Sequence, residues 1–143
     1  MIRFSAEVAM ARSEKRPVVV LESTIISHGL PRPRNMEVAR EVEEIVRSQG
    51  AIPATIAIID GRIHVGLEPD LLIRIANDDA VVKASIRDLP IVTAKGLSAA
   101  TTPSTTNTTK PWSCRGSGPL SKLNANREAK KIVIQSIQEL LQK

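Results

Sequence analysis

Pro17-Val18-Val19-Val20-Leu21-Glu22-Ser23-Thr24-Ile25-Ile26-Ser27-His28-Gly29 is the stretch on which the fold turns. Four β-forming residues in a row, Val18 to Leu21, read as a strand covered on both faces, and the hydroxyl-rich segment after them reads as the turn leaving its carboxyl end. Ligands of open parallel sheets bind outside such strand ends. Glu22 stands there. A carboxylate at the end of an apolar run costs free energy unless it is hydrogen-bonded, paired or put to chemical use. The local residues leave two readings open with equal weight: an active-site acid, or a partner for an arginine such as Arg32 or Arg34.

Working outward, Asn35 has the chemistry of an N-cap, and Val38, Val42, Ile45, Val46 and Gln49 share one helical stripe that Gly50 ends. Residues 51 to 59 read as a strand entered through Pro53, and Asp60-Gly61 predicts a tight hairpin into Arg62-Ile63-His64-Val65. Glu68-Pro69-Asp70 opens a second helix, with Leu71, Leu72, Ile75 and Ala76 on its apolar side and an end near Asn77. Residues 79 to 87 carry no clear period. Leu89-Pro90-Ile91-Val92-Thr93-Ala94 looks like a further buried strand, followed by Lys95-Gly96 and a turn of small residues. Strands alternating with helices predict an α/β domain.

The bulk numbers narrow the field. A chain of 143 residues with 42% apolar content supports one domain with a real core. Phe4 and Trp112 are the only aromatic residues, so that core is built from Val, Ile, Leu and Ala, and no platform for stacking nucleic-acid bases exists. A single cysteine, Cys114, excludes an internal disulfide and a Cys-rich zinc site. No apolar run reaches the length of a membrane span. Arg3, Arg12, Lys15 and Arg16 hint at a mitochondrial presequence, but Glu7 and Glu14 interrupt it; the expectation is a cytoplasmic protein, with mitochondria second.

The net charge of +5 is unevenly placed. Residues 1 to 102 hold 13 Lys+Arg and 13 Asp+Glu, whereas residues 103 to 143 hold 7 and 2, so the whole excess lies in the last stretch. Dispersed cations without a motif argue against a nucleic-acid partner. From 101 to 126, 18 of 26 residues are Ser, Thr, Asn, Pro or Gly, which predicts a polar, disordered linker. Residues 127 to 143 predict an amphipathic helix with Val133, Ile137, Leu140 and Leu141 on one side. His28 and His64, 36 residues apart, have no metal-ligand spacing and read as structural hydrogen-bonders. Arg32 and Arg34, flanked by Pro31 and Pro33, suit a phosphate or a rigid surface turn equally.

Glu22-Ser23-Thr24-Ile25-Ile26-Ser27-His28-Gly29, the helix from Asn35, the strand Ala51-Ile52-Pro53-Ala54-Thr55-Ile56-Ala57 and Lys83 with Arg87-Asp88-Leu89-Pro90 occur in one order and spacing. In these motifs the chain resembles pseudouridine-5'-phosphate glycosidases, the indigoidine-synthase-A-like family, over roughly residues 3 to 102. The resemblance implies the N-terminal part of an α/β/α layered domain. It implies reversible cleavage of the C–C glycosidic bond of pseudouridine 5'-phosphate to uracil and ribose 5-phosphate. It also implies a Schiff-base lysine, a proton-donating carboxylic acid, a manganese cofactor and homo-oligomers, trimers in particular. Glu22 matches the proton donor, Lys83 a substrate-binding lysine and Thr102 a residue of the substrate pocket. Lys95 is a weaker candidate, with a solvated surface role the expectation.

The resemblance stops at Thr102. Pro103 replaces an aliphatic pocket residue, and residues 104 to 143 contain neither the glycine-rich segment, nor the metal-binding aspartate, nor the nucleophilic lysine of the family. So abrupt a change has the character of a frameshift, an alternative exon or a gene-model break. Two hypotheses follow: a glycosidase by descent that is inactive as this chain, or a non-catalytic isoform acting only in binding or oligomerisation.

Overall fold

The computed structural model describes residues 2–102. The linker expected over 103–126 and the helix expected over 127–143 lie outside the described residues. In chain order the elements are β1 (Ile2–Phe4), α1 (Ala6–Ser13), β2 (Val18–Leu21), a π-helical turn (Ile25–Gly29), α2 (Arg34–Ser48), β3 (Ile52–Ile59), β4 (Arg62–Val65), α3 (Pro69–Asn77), β5 (Val82–Ala84), α4 (Leu89–Ala94) and β6 (Ala99–Thr101).

The strands form one mixed sheet in the order β1-β4-β3-β6-β5, with β2 also paired to β3. Its axis is β3, buried at seven of its eight positions. The hairpin to β4 is the one expected: Asp60 and Gly61 both have positive φ, 49° and 71°, as a turn matched to strand twist requires. Pro53 is tolerated in β3 because its half of the strand pairs with β2, while β4 pairs only from Ile56 onward.

Alternation along β3 sends Ile52, Ala54 and Ile58 to one face and Ala57 and Ile59 to the other. On the first face α1 packs Val8 and Ala11 against Ile52 and Ala54, and α4 packs Val92 against Ile58, Ala84 and Ala99. On the second, the π-turn, α2 and α3 place Ile26, Ala39, Leu72 and Ile75 on Ala57, Ile59 and Ala100. The α/β character expected from the sequence and the α/β/α layering implied by the resemblance are therefore present. Ala54, Ala57, Ala84, Ala99 and Ala100 are all fully buried, and strands this smooth let helices approach closely without aromatic filling.

Several elements differ from the sequence reading. Residues 89–94, read as a strand, form α4: Pro90 sits in the first turn, where its fixed φ suits a helix, and Asp88 Oδ2 accepts from the Ser85 N–H and hydroxyl at 2.8 and 2.7 Å just before it. A short apolar run carries no period that separates the two states. Asn35 is not the N-cap of α2; Pro33 holds that position, and Asn35 lies buried inside the helix. Its Nδ2 donates to Ile26 O and Ala76 O, both at 2.8 Å, tying the π-turn, α2 and α3 together. Ala99 and Ala100, read as part of a turn of small residues, and Thr101, read as the start of the polar linker, form the inner strand β6. The arginine-bearing start, weighed as a presequence, contains β1 paired to β4 and α1, whose N-cap Ser5 accepts from Val8 N at 3.3 Å. Finally β2 is half-buried along its length rather than covered on both faces.

β2 runs parallel to β3 and β6 runs antiparallel to it, so their carboxyl ends converge at the middle of β3. Ser23 and Thr101 join them. Ser23 N donates to Thr101 O at 3.3 Å, Thr101 N to Ser23 Oγ at 2.9 Å, and both hydroxyls donate to Ile56 O, at 2.7 and 2.6 Å. Both side chains are wholly buried. Removing one hydroxyl strands the Thr101 N–H, so Ser23→Ala is expected to cost about 1–3 kcal/mol, read as a lower urea midpoint at unchanged slope.

Candidate functional site

The residues immediately outside the Ser23–Thr101 junction, Glu22 and Thr102, open onto a cleft of about 550 Å³. Thr24, Ile25, His28 and Lys83 complete most of its wall. Several elements place them, Thr24, Ile25 and His28 coming from the π-turn and its cap. Glu22 follows β2; Thr24 donates its hydroxyl to Thr101 O at 2.8 Å; Lys83 stands on the edge strand β5, in register with Ala100 of β6; Thr102 N donates to Ala84 O at 3.2 Å. His28 rides on the π-turn, a geometry that recurs at functional sites. That turn is pinned from behind by Ser27 Oγ donating to Ile75 O at 2.9 Å and by the Asn35 amide.

The three residues singled out by the resemblance, Glu22, Lys83 and Thr102, thus share one cleft although 80 positions separate the first from the last. Lys95 does not; it caps the exposed end of α4. His28 lines the cleft, which spacing alone did not indicate, whereas His64 lies on β4 opposite Ala57. Burial pushes the His64 imidazole below its ordinary value, with Arg3 and Arg62 adding to the effect. Ser23 and Thr101, which build the site without lining it, were not separable in the sequence from other turn hydroxyls. Their only signal was two buried-type small polar residues ending two apolar strands.

Arg32 and Arg34, the two arginines named as partners for Glu22, are engaged elsewhere. Arg32 Nη2 binds Asp79 at 2.7 Å and Arg32 Nε donates to Ala76 O, while Arg34 Nη1 reaches Glu37 and Glu41 at 3.2 Å each. Glu22 is half-buried, and its Oε2 is shut from solvent with no hydrogen-bond partner among the described residues. Burial raises the Glu22 carboxyl above the ordinary 4.5; the Thr24 hydroxyl and N–H and the Lys83 charge pull the other way without cancelling it. Such a carboxyl keeps its proton to higher pH and can donate it.

Among the described residues no three His, Cys, Asp or Glu side chains gather into a metal-binding group. The donor set manganese asks for is not formed by these residues, and no step below runs through a metal. Likewise, no helix among them is long and apolar enough to cross a membrane.

Because the folded pKa of Glu22 is raised, the native state binds more protons than the unfolded chain between the two pKa values. Its contribution to stability is fully present below the unfolded value of about 4.5 and is lost as pH rises through the folded one. Denaturation midpoints measured across this range are expected to fall less with pH in Glu22→Gln than in the wild type. Parallel profiles would show that Glu22 does not titrate abnormally.

Residues 7–110 match the family described as "Indigoidine synthase A like protein". A pseudouridine-5'-phosphate glycosidase from Caldanaerobacter subterraneus subsp. tengcongensis is 59% identical over 105 residues, 73% of this chain and 34% of that relative. One from Symbiobacterium thermophilum is 56% identical over 108 residues, 76% of this chain and 35% of that relative. Among solved structures, an indigoidine synthase A-like protein from Thermotoga maritima superposes with a TM-score of 0.64 at 36% identity, over 74% of this chain and 34% of that one. The prealnumycin C-glycosynthase AlnA, solved with ribulose 5-phosphate, gives 0.65 at 40% identity over the same shares. The chain spans about a third of the length of the curated relatives it matches. With its match covering most of the sequence and its fold shared with a solved indigoidine synthase A-like protein, the chain belongs to the indigoidine synthase A-like family.

Proposed function

We propose that this chain carries the proton-donor part of a pseudouridine-5'-phosphate glycosidase site, and that the cleft at Glu22 takes a five-carbon sugar phosphate. The observation that carries this is the meeting of Glu22, its carboxyl raised by burial, with Lys83 and Thr102 on one cleft. The names of the relatives support the same substrate class.

An ordinary glycosidase protonates a leaving oxygen and uses a second carboxylate as base or nucleophile. In pseudouridine the sugar is joined to carbon, a poor leaving group, and the route the family resemblance implies opens the sugar and holds it on a lysine amine as a Schiff base. Within this scheme Glu22 holds a proton on its shielded Oε2 and delivers it to the substrate. Lys83, an ammonium on an exposed strand, meets a phosphate or ribose oxygen as a point charge. Thr102 closes the wall beside it. The covalent lysine and the manganese site belong to a part of the family domain that has no counterpart in residues 104–143, so the chain by itself binds substrate without turning it over. Losing a covalent step costs many orders of magnitude in rate. Assembly into trimers, cytoplasmic location and the absence of a nucleic-acid partner are part of the same proposal.

Incubation with uracil, ribose 5-phosphate and manganese, followed by borohydride, is expected to leave no reduced lysine adduct and no pseudouridine 5'-phosphate by mass spectrometry. An adduct would overturn the inactivity. In calorimetry, ribose 5-phosphate is expected to bind, Lys83→Ala to weaken it about tenfold, the loss of one charge-assisted contact, and Glu22→Gln to leave affinity nearly unchanged. No heat of binding with the wild-type chain would sink the assignment of the cleft.

A further inference from the structure

His28 lines the cleft beside Glu22 and Lys83, and its exposed side chain makes no hydrogen bond or ion pair among the described residues. The other histidine, His64, stands on β4 and takes no part in the cleft wall. The turn that carries His28 is held from several sides. Ser27 Oγ donates to Ile75 O at 2.9 Å, Asn35 Nδ2 to Ile26 O at 2.8 Å, and Ser27 N to Ser23 O at 3.2 Å. Gly29 closes the turn so tightly that a Cβ there would stand 3.1 Å from Ile25 Cγ1. The fold thus fixes the backbone at His28 and leaves the imidazole itself unspent, on a π-helical turn of the kind that recurs at functional sites.

Strand register sets Lys83 against the same space. Lys83 of β5 lies opposite Ala100 of β6, which packs with Ile26 of the π-turn, whereas the next residue, Ala84, packs with Val92 on the other face. Partners in register share a face and successive residues alternate, so Lys83 projects into the layer that holds the π-turn. Of the side chains that line the cleft, only those of Lys83 and His28 carry nitrogen donors, and the Thr24 hydroxyl is already given to Thr101 O at 2.8 Å. A phosphate monoester brings roughly two negative charges and three strong acceptor oxygens at neutral pH, more than one ammonium satisfies.

We propose that His28 is a further substrate-contacting residue of this cleft: its imidazole N–H donates to the phosphate of the sugar phosphate from the π-turn, while Lys83 meets the same group from β5. The inference rests on the reading of the cleft as a sugar-phosphate site and adds to it which end of the ligand faces the π-turn. A neutral sugar gains nothing from this pair, so the cleft selects the phosphorylated form.

The full chain is titrated with inorganic phosphate, ribose or ribose 5-phosphate at fixed pH and ionic strength while its two histidine rings are followed by nuclear magnetic resonance, assigned with His64→Gln. Phosphate and ribose 5-phosphate are expected to shift the His28 ring to saturation and to leave His64 in place, and ribose to move neither. Lys83→Ala is expected to raise the phosphate needed for half-saturation about tenfold. In calorimetry His28→Ala is expected to weaken ribose 5-phosphate about tenfold, the loss of one hydrogen bond to a charged group, and His28→Gln, which keeps an N–H donor, to recover part of it. A His28 ring unmoved by phosphate overturns the proposal, as does an equal shift of His64 or an unchanged affinity in His28→Ala. A ring that answers to ribose as it does to phosphate assigns the contact to sugar hydroxyls and overturns it too. If ribose 5-phosphate gives no heat while inorganic phosphate still shifts His28 in a Lys83-dependent way, the sugar-phosphate reading falls and the phosphate contact stands.

Discussion

The structure depends on a shared acceptor: Ile56 O, in the middle of β3, receives the hydroxyls of both Ser23 and Thr101. Two strands that run toward each other along a third cannot continue the ladder where their ends meet, and the backbone groups there would be buried without partners. Short hydroxyl side chains fill the gap and satisfy the groups at once. The junction also aims the site. Since successive side chains alternate in direction, an inward Ser23 turns Glu22 outward, and an inward Thr101 does the same for Thr102. The cleft is in this sense a by-product of closing the sheet.

Around this junction, small residues do what aromatics do elsewhere. The buried alanines of β3, β5 and β6 give the helices a smooth surface, and specificity comes from a few polar ties such as the Asn35 amide bridging Ile26 O and Ala76 O. Burying that amide is tolerable because both its N–H groups are used, and its Oδ1 accepts from Met36 N. The surface ion pairs contribute little to stability by comparison. Their consequence is indirect: they engage Arg32 with Asp79 and Arg34 with Glu37 and Glu41, and so turn both arginines away from Glu22.

Glu22 is therefore governed by burial opposed by weaker favourable contacts. Lys83 is near enough to lower its pKa but ranks behind both contacts with Thr24, and burial outweighs all three. A carboxyl and an ammonium facing one open cleft without neutralising each other is an arrangement suited to a polar, anionic ligand that engages both.

The sequence by itself determined the alternation of strands and helices, the Asp60-Gly61 hairpin, the strand end bearing Glu22 and the family. These are local or contiguous features, expressed through turn conformations, apolar runs and an unbroken motif. Only the tertiary structure decided that residues 89–94 are helical, that Asn35 is a buried tie rather than a cap, that residues 99–101 form an inner strand, and that Arg32 and Arg34 pair away from Glu22. Each depends on what lies opposite in space. A six-residue apolar run has no period to read, an asparagine near a helix start has two uses, and three small residues look like a turn until β3 and β5 flank them. Above all, the meeting of Glu22, Lys83 and Thr102 rests on β2 and β6 converging on β3, a relation between segments nearly 80 residues apart that no local pattern encodes.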